Sequence, residues 1–151
     1  MDFAPSYRER LVPPWWLLLL LLLIVPASLL VFLPVSIEMG IAVAAVLYGA
    51  IALALWLAAP TIELRDGSLR AGRARIPVSE LGTAEALEGA DAQAAMRAAW
   101  DPADHHVISP WTKSLVRVPV TDPADATPAW LVSSRRPKAL AAAIAAAQAR
   151  Q

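Results

Sequence analysis

The chain has 151 residues, of which 58% are hydrophobic and 17% are charged, and its formal net charge is zero. The zero net charge argues against nucleic-acid binding, and the absence of cysteine excludes disulfide frameworks, thiolate nucleophiles and cysteine-based metal sites. The charges are also segregated, because Glu38 is the only Asp, Glu, Lys or Arg between Leu11 and Pro60. This pattern predicts a bilayer segment joined to a domain outside the bilayer.

The first apolar run, residues 15–33, contains no charged residue. Its length is close to the roughly 20 residues that a helix needs to cross a bilayer core. Trp15 and Trp16 stand at its start, where aromatic rings favour the headgroup boundary, and Pro26 predicts a kink. A secretory signal peptide is the alternative, but its apolar region is only about 7–15 residues long. We therefore predict a first transmembrane span.

The second apolar run, residues 39–59, is also free of charge and ends at Pro60. Small residues recur along it at spacings of three and four, which places them on one helix face, and small side chains let two helix backbones approach closely. This face is predicted to pack either on the first helix of the same chain or on another membrane protein. Its residues are Ala42, Ala45, Gly49 and Ala52.

The flanking charges predict the orientation of this hairpin. Arg8 and Arg10 precede the first span, and the connection between the spans carries no Lys or Arg; the arginines that follow the second span are Arg65, Arg70, Arg73 and Arg75. The positive-inside rule then puts both termini in the cytoplasm. The prediction is a multi-pass protein of the cell inner (plasma) membrane. Its parts are a cytoplasmic N-terminal segment (1–14), a transmembrane helical hairpin (15–59) and a small cytoplasmic domain (60–151).

The residues after the hairpin predict a small α+β domain with a C-terminal helix. Alternating apolar and polar residues and turn signals such as Asp66-Gly67 indicate short strands at 61–65, 68–76, 83–87, 113–120 and 129–134. A helix is predicted at 91–100. Pro137 suits the first position of a second, alanine-rich helix.

No pattern of residues predicts a catalytic, cofactor-binding or metal-ligating site. The sequence has no GxSxG, GxxxxGKS/T or GxGxxG motif. His105 and His106 are adjacent, so they point in different directions and are read as an exposed loop pair. Four aspartates match no EF-hand spacing and are read as turn formers: Asp101, Asp104, Asp122 and Asp125. We therefore predict a non-enzymatic protein without a cofactor.

The densest basic cluster lies near the start of the C-terminal helix. Arg135, Arg136 and Lys138, together with Trp130, are the predicted interaction surface, either for a protein partner or for anionic lipid headgroups. The alternative is a solvated edge without a partner. Trp100, Trp111 and Trp130 are expected to fill the core of the domain, with a pocket or an interface as the alternative.

Three segments carry a resemblance to a known family. They are Tyr7–Trp16, Asp122–Pro128 and Trp130–Pro137, the last followed by an alanine-rich helix. Together they resemble DUF3093, an actinobacterial family of two-span membrane proteins of unknown function. The resemblance implies this topology and an actinobacterial source, and it implies no activity or cofactor. It also implies an aromatic residue at position 129, where this chain has alanine.

A second resemblance concerns the fold of the domain. Ile62–Leu69, Gly72 and Arg75–Ser79 are similar to the opening of bacterial pleckstrin-homology-like domains. That resemblance implies a pleckstrin-homology-like domain, which often follows a transmembrane hairpin and ends in a helix.

These observations favour a non-enzymatic function at the membrane. The first hypothesis is that the domain is presented at the inner leaflet for interaction with a protein partner, or for assembly of a membrane complex or homo-oligomer. The second is sensing of lipid or a small ligand by a pleckstrin-homology-like domain. The third is an unrecognised membrane enzyme.

Overall fold

The computed structural model describes residues 6–151, and the chain divides into two compact units. Residues 12–59 form a helical unit. Residues 6–11 and 60–151 form an α+β domain, so the domain takes its chain from both sides of the helical unit. Positions 1–5 of the predicted N-terminal segment lie outside the described residues.

The helical unit contains α1 (Trp15–Leu21), α2 (Ile24–Phe32) and α3 (Ile37–Ala58). The break between α1 and α2 lies just before Pro26, because proline has no N–H and its ring excludes the carbonyl four residues earlier. That carbonyl, on Leu22, accepts a hydrogen bond from Val25 N instead, at 3.0 Å. α3 begins two residues earlier than predicted, since the Ser36 hydroxyl accepts from Met39 N at 3.4 Å and caps the helix.

Two stretches of this unit, Trp15–Phe32 and Ile37–Ala58, are long and apolar enough to cross a membrane. In an apolar 18-residue window of each stretch only 6% of the residues are buried within the structure, so the leucine, isoleucine and tryptophan side chains are largely exposed. A core helix of a globular domain would be mostly buried instead.

The first sheet is antiparallel, in the order β1 (Tyr7–Arg10), β2 (Thr61–Arg65), β3 (Ser68–Ala71) and β4 (Ala74–Pro77). β1 was not predicted from the sequence; it precedes the helical unit and pairs with the strand that follows it. Asp66 and Gly67 turn β2 into β3 with φ of 50° and 67°, as a tight hairpin requires. The single strand predicted at 68–76 is two strands, because Gly72, at φ 62°, turns the chain back.

The second sheet has the order β5-β7-β8-β6. Its strands are β5 (Glu85–Leu87), β6 (His105–Val107), β7 (Leu115–Pro119) and β8 (Ala129–Ser133). All pairs are antiparallel except β6 with β8, which is parallel. The histidine pair therefore lies in a strand and is half-buried, not in the exposed loop that was predicted.

Both faces of the second sheet are covered. One face packs against the inner face of the first sheet and against α5 (Pro137–Gln148), with Leu64, Val116 and Ile144 in the shared core. The other face is covered by α4 (Gly89–Ala95), which is shorter than the helix predicted at 91–100. All five residues of β8 are consequently buried.

Candidate functional site

A buried carboxylate, Glu9, joins β1 to the segment that precedes α5. Its Oε2 accepts hydrogen bonds from Tyr7 Oη and Ser134 Oγ, each at 2.7 Å, and its Oε1 accepts from the backbone N–H of Arg135 at 2.9 Å. Ser134 Oγ in turn accepts from Arg136 N at 3.1 Å. We call Tyr7, Glu9 and Ser134 the carboxylate cluster; it holds two segments together that are 125 residues apart in the chain.

The cluster is shielded from water. Glu9 is 8% and Ser134 0% exposed. Burial, reinforced by the neighbouring Glu9, raises the pKa of Tyr7 above its ordinary value of 10.0, which favours the protonated phenol that donates to Glu9. A buried acceptor with three donors is well satisfied. The cluster therefore links β1 to the segment that precedes α5.

The predicted interaction surface is only partly exposed. Trp130 is 5% exposed and lies in the core, its ring 4.6 Å from that of His105, so it does not contribute to this surface. The Arg136 guanidinium lies 5.5 Å above the Tyr7 ring, a cation–π distance. Lys138 Nζ is 3.3 Å from Glu88 Oε2 in an exposed pair, which contributes at most about 1 kcal/mol. Arg135 is exposed.

A second, denser set of arginines covers the outer face of the first sheet. The register places Arg8, Glu63, Arg70 and Arg75 in one row across the four strands. Three of these residues, Glu63, Arg70 and Arg75, also line a cleft of about 420 Å³ on β2–β4. The rest of its lining is Arg65, Asp66, Ser68 and Arg73. We call this the arginine face; its five arginines, Arg8, Arg65, Arg70, Arg73 and Arg75, are exposed.

The arginine face has a net charge of +3, because Glu63 and Asp66 are its only carboxylates among the described residues. Arg65 pairs with Asp66 at 3.4 Å. Arg70 donates to the Gly72 carbonyl at 3.3 Å and stands directly opposite Arg75. Like charges opposite each other destabilise a sheet, so this arrangement has a cost that binding of an anion would offset.

The family comparison covers both segments that the carboxylate cluster joins. A family model described as "Protein of unknown function (DUF3093)" matches residues 6–144, from the residue before β1 into α5. This chain belongs to the DUF3093 family. No curated protein and no solved structure matches it.

In this DUF3093 protein, most of the small-residue face predicted on α3 points away from the first two helices. The packed positions are instead Gly40, whose added Cβ would lie 3.3 Å from Leu29 and Phe32, and Ala44, which is 2% exposed. Ala42, Ala45 and Gly49 are exposed, and an added Cβ at Gly49 would meet no atom within 4 Å; Ala52 is half-buried. Packing within the hairpin therefore does not account for the small residues.

The tryptophans of the DUF3093 domain have different surroundings. Trp130 is in the core, as expected, but Trp100 is 44% exposed and stacks on His106 with 3.6 Å between ring centroids. Trp111 Nε1 donates to the Leu11 carbonyl at 3.2 Å. Among residues 6–151, no group of three or more His, Asp or Glu is arranged to hold a metal ion.

Sequence reasoning missed the carboxylate cluster, although a signal was present. Tyr7, Glu9 and Leu11 occur at the strand period of two, and all three are buried. Arg8 and Arg10 alternate with them, and they were interpreted only as charges that orient the membrane hairpin.

Proposed function

We propose that this protein is a two-span membrane protein whose cytoplasmic domain binds anionic lipid headgroups through the arginine face. The observation that carries the proposal is the row of exposed arginines on the outer face of the first sheet. A guanidinium binds phosphate oxygens with two parallel hydrogen bonds, and the cytoplasmic leaflet is the membrane surface that is rich in anionic lipid.

Chain connectivity supports this placement of the domain. Two residues, Ala59 and Pro60, separate α3 from β2, so the Cα atoms of Ala58 and Thr61 are at most about 11 Å apart. β1 pairs with β2, and this pairing requires that the chain enters and leaves the helical hairpin on one side. Two membrane crossings meet that requirement. The flanking arginines favour the cytoplasm as that side.

The pleckstrin-homology-like fold remains part of the proposal. Two four-stranded sheets and a C-terminal helix support it. The parallel pair β6–β8 and the helix α4 depart from an all-antiparallel barrel. Lipid binding does not depend on this fold assignment, because the arginine face is formed by the strands of the first sheet alone.

Lipid binding can be tested with the full chain in nanodiscs of defined composition. Because the chain has no cysteine, Ser68→Cys places a single fluorescent label in the cleft of the arginine face. As the phosphatidylglycerol content of the discs rises, the emission of the label is expected to shift until the shift saturates, and added salt should reduce this shift. Discs of phosphatidylcholine alone are expected to give no shift. The triple variant R70Q/R73Q/R75Q is expected to lower the apparent affinity for phosphatidylglycerol roughly a hundredfold, because each arginine contributes about 1 kcal/mol.

The matched control removes the same charge elsewhere on the domain. Arg97, Lys113 and Arg150 are exposed and lie outside the arginine face, so R97Q/K113Q/R150Q should respond like the parent chain. If both triple variants lost affinity for phosphatidylglycerol equally, the effect would come from the net charge of the domain, and this result would contradict the proposal. A shift produced by inorganic phosphate in phosphatidylcholine discs would point to a soluble phosphate ligand instead of lipid.

Assembly within the membrane is a second candidate function, favoured by the exposed face of Ala42, Ala45 and Gly49. Small residues promote helix association in lipid because they permit close backbone contact. Gly49→Cys is therefore expected to give a disulfide-linked dimer of two copies when an oxidant is added to native membranes. Ala44→Cys, on the packed side of the same helix, is the control and should give no dimer. Equal crosslinking of the two variants would contradict this function.

A further inference from the structure

The hairpin of β3 and β4 concentrates the positive charge of the arginine face. Residues 68–77 contain Arg70, Arg73 and Arg75 and no Asp or Glu. All three arginines are exposed, and all three line the cleft on β2–β4. An anion that enters the cleft therefore reaches these side chains without displacing any part of the core.

Arg70 and Arg75 form a close pair across the two strands of this hairpin, because they are direct partners in its register. Val78 N donates to the Gly67 carbonyl at 2.8 Å, so these two residues occupy a hydrogen-bonded position of the ladder. Positions alternate along an antiparallel ladder, which makes Arg70 and Arg75, three steps further on, a non-hydrogen-bonded pair. Such pairs have the shorter Cα separation, about 4.5 Å. Two guanidinium groups that start so close together can bind one anion jointly.

A hydrogen bond to the turn of the hairpin orients the Arg70 side chain. Its Nε donates to the Gly72 carbonyl at 3.3 Å, and Arg73 is the next residue of that turn. This bond uses one of the five N–H groups of the guanidinium, so the N–H groups on its two Nη atoms remain for a ligand. The Arg70 guanidinium is thus held at the end of the hairpin where Arg73 lies.

The carboxylates of the arginine face compensate the arginines outside the hairpin more than those within it. The register places Glu63 between Arg8 on β1 and Arg70 on β3, so its single charge is shared between them. The other carboxylate is paired with Arg65. Arg75 is two strands away from Glu63, which corresponds to about 10 Å at the usual strand spacing. Most of the net charge of the face is consequently at the hairpin.

We propose that Arg70, Arg73 and Arg75 select a phosphate monoester over a phosphate diester. This inference rests on the proposed function and names its headgroup class: the arginine face binds phosphatidic acid in preference to phosphatidylglycerol. A phosphate monoester carries about −1.5 to −2 charges at neutral pH and three acceptor oxygens, whereas the diester of phosphatidylglycerol has a single charge and one such oxygen fewer. The additional oxygen and charge of the monoester are bound by the third arginine, since guanidinium groups bind phosphate oxygens in pairs.

The test compares the two lipids at equal charge, with the full chain carrying the fluorescent label at Ser68→Cys. Phosphatidic acid is added to phosphatidylcholine nanodiscs at half the mole fraction of phosphatidylglycerol, so that both series have the same nominal charge density. Phosphatidic acid is expected to reach the half-maximal shift at roughly tenfold lower charge density, because it makes a further charge-assisted hydrogen bond.

The ratio of the two apparent affinities is the quantity that the variants should change. Arg75→Gln, at an exposed position of the edge strand β4, is expected to lower the preference for phosphatidic acid to about twofold or less. Arg73→Gln, in the turn, should have the same effect. Arg8→Gln is the matched control, because it removes the same charge from the same face but outside the hairpin. It should weaken both lipids by a similar factor and leave their ratio unchanged.

The outcomes separate this inference from the proposed function. Equal binding of the two lipids at matched charge, or an undiminished preference in Arg75→Gln and Arg73→Gln, would overturn the inference and leave lipid binding by the arginine face intact. A shift produced only by glycerol 3-phosphate in phosphatidylcholine discs, and abolished by Arg75→Gln, would support selection of a monoester and contradict lipid binding. No shift with either lipid or with glycerol 3-phosphate would overturn both.

Discussion

Residues 60–151 on their own are expected not to fold stably, because the first strand of their sheet lies before the helical hairpin. Without β1 the domain loses the buried side chains of Tyr7 and Leu11, each contributing about 1.5–3 kcal/mol, and the carboxylate of Glu9. The edge of β2 also becomes unpaired. The sum is comparable with the 5–15 kcal/mol that stabilises a typical domain.

A hairpin-replaced domain tests this expectation directly. Leu11 N donates to the Pro60 carbonyl at 3.0 Å, so a two-residue Asn-Gly turn can join residues 6–11 to 60–151 in place of the helices. We expect this chain to be soluble and to unfold cooperatively in urea, with dispersed amide resonances. Residues 60–151 alone are expected to show neither property.

The control keeps the added length but removes the side chains that β1 buries. The hairpin-replaced domain with Tyr7, Glu9 and Leu11 all changed to serine should behave like residues 60–151 alone. If residues 60–151 were as stable as the hairpin-replaced domain, β1 would be dispensable. The domain could then be separated from the helical hairpin at residue 60, the boundary predicted from the sequence.

The local pattern of apolar and polar residues was sufficient to predict a strand or helix wherever that pattern matched the burial of the segment. The alternation of Thr61–Arg65 predicted β2 at its observed bounds, and Pro137 marked the start of α5. The Asp66-Gly67 turn followed from residues that tolerate positive φ. The two apolar runs were as easy to recognise in the sequence, because their length and the absence of charge are sufficient to identify them.

Elements that depend on distant partners were not predictable in this way. β1 has four residues, three of them charged, and its pairing with β2 spans the whole helical hairpin. β6 has three residues, two of them histidine, and it forms only because β8 lies beside it in parallel. Neither segment has a strong strand propensity of its own, so tertiary contact determines its conformation.

The sequence likewise did not predict which side chains of the candidate sites are accessible. Trp130 and Trp100 have the same chemistry, but one lies under α5 and the first sheet while the other stacks on His106 at the surface. The direction of the small-residue face of α3 depends on where the broken first helix packs. The arginine face was visible only as separate arginines until the strand register placed them in a row.

Glu9→Ala is expected to lower the free energy of unfolding of the hairpin-replaced domain by about 3 kcal/mol or more. The substitution removes the acceptor of Tyr7 Oη, Ser134 Oγ and the Arg135 N–H at once, and a buried donor left without a partner costs about 1–3 kcal/mol. Urea unfolding followed by tryptophan fluorescence measures the change. Tyr7→Phe, which removes one donor together with its need for a partner, should cost only about 1 kcal/mol.

Glu63→Ala is the matched control, because it makes the same substitution on the neighbouring strand of the same sheet. Glu63 is half-buried on the outer face, between Arg8 and Arg70, and its removal should cost less than about 1 kcal/mol. The effects of Glu9→Ala and Ser134→Ala should also combine less than additively, since both remove the same hydrogen bond. Two results would show that the carboxylate cluster does not hold β1 to the segment before α5. One is that Glu9→Ala and Glu63→Ala lower the free energy of unfolding equally. The other is that the effects of Glu9→Ala and Ser134→Ala are strictly additive.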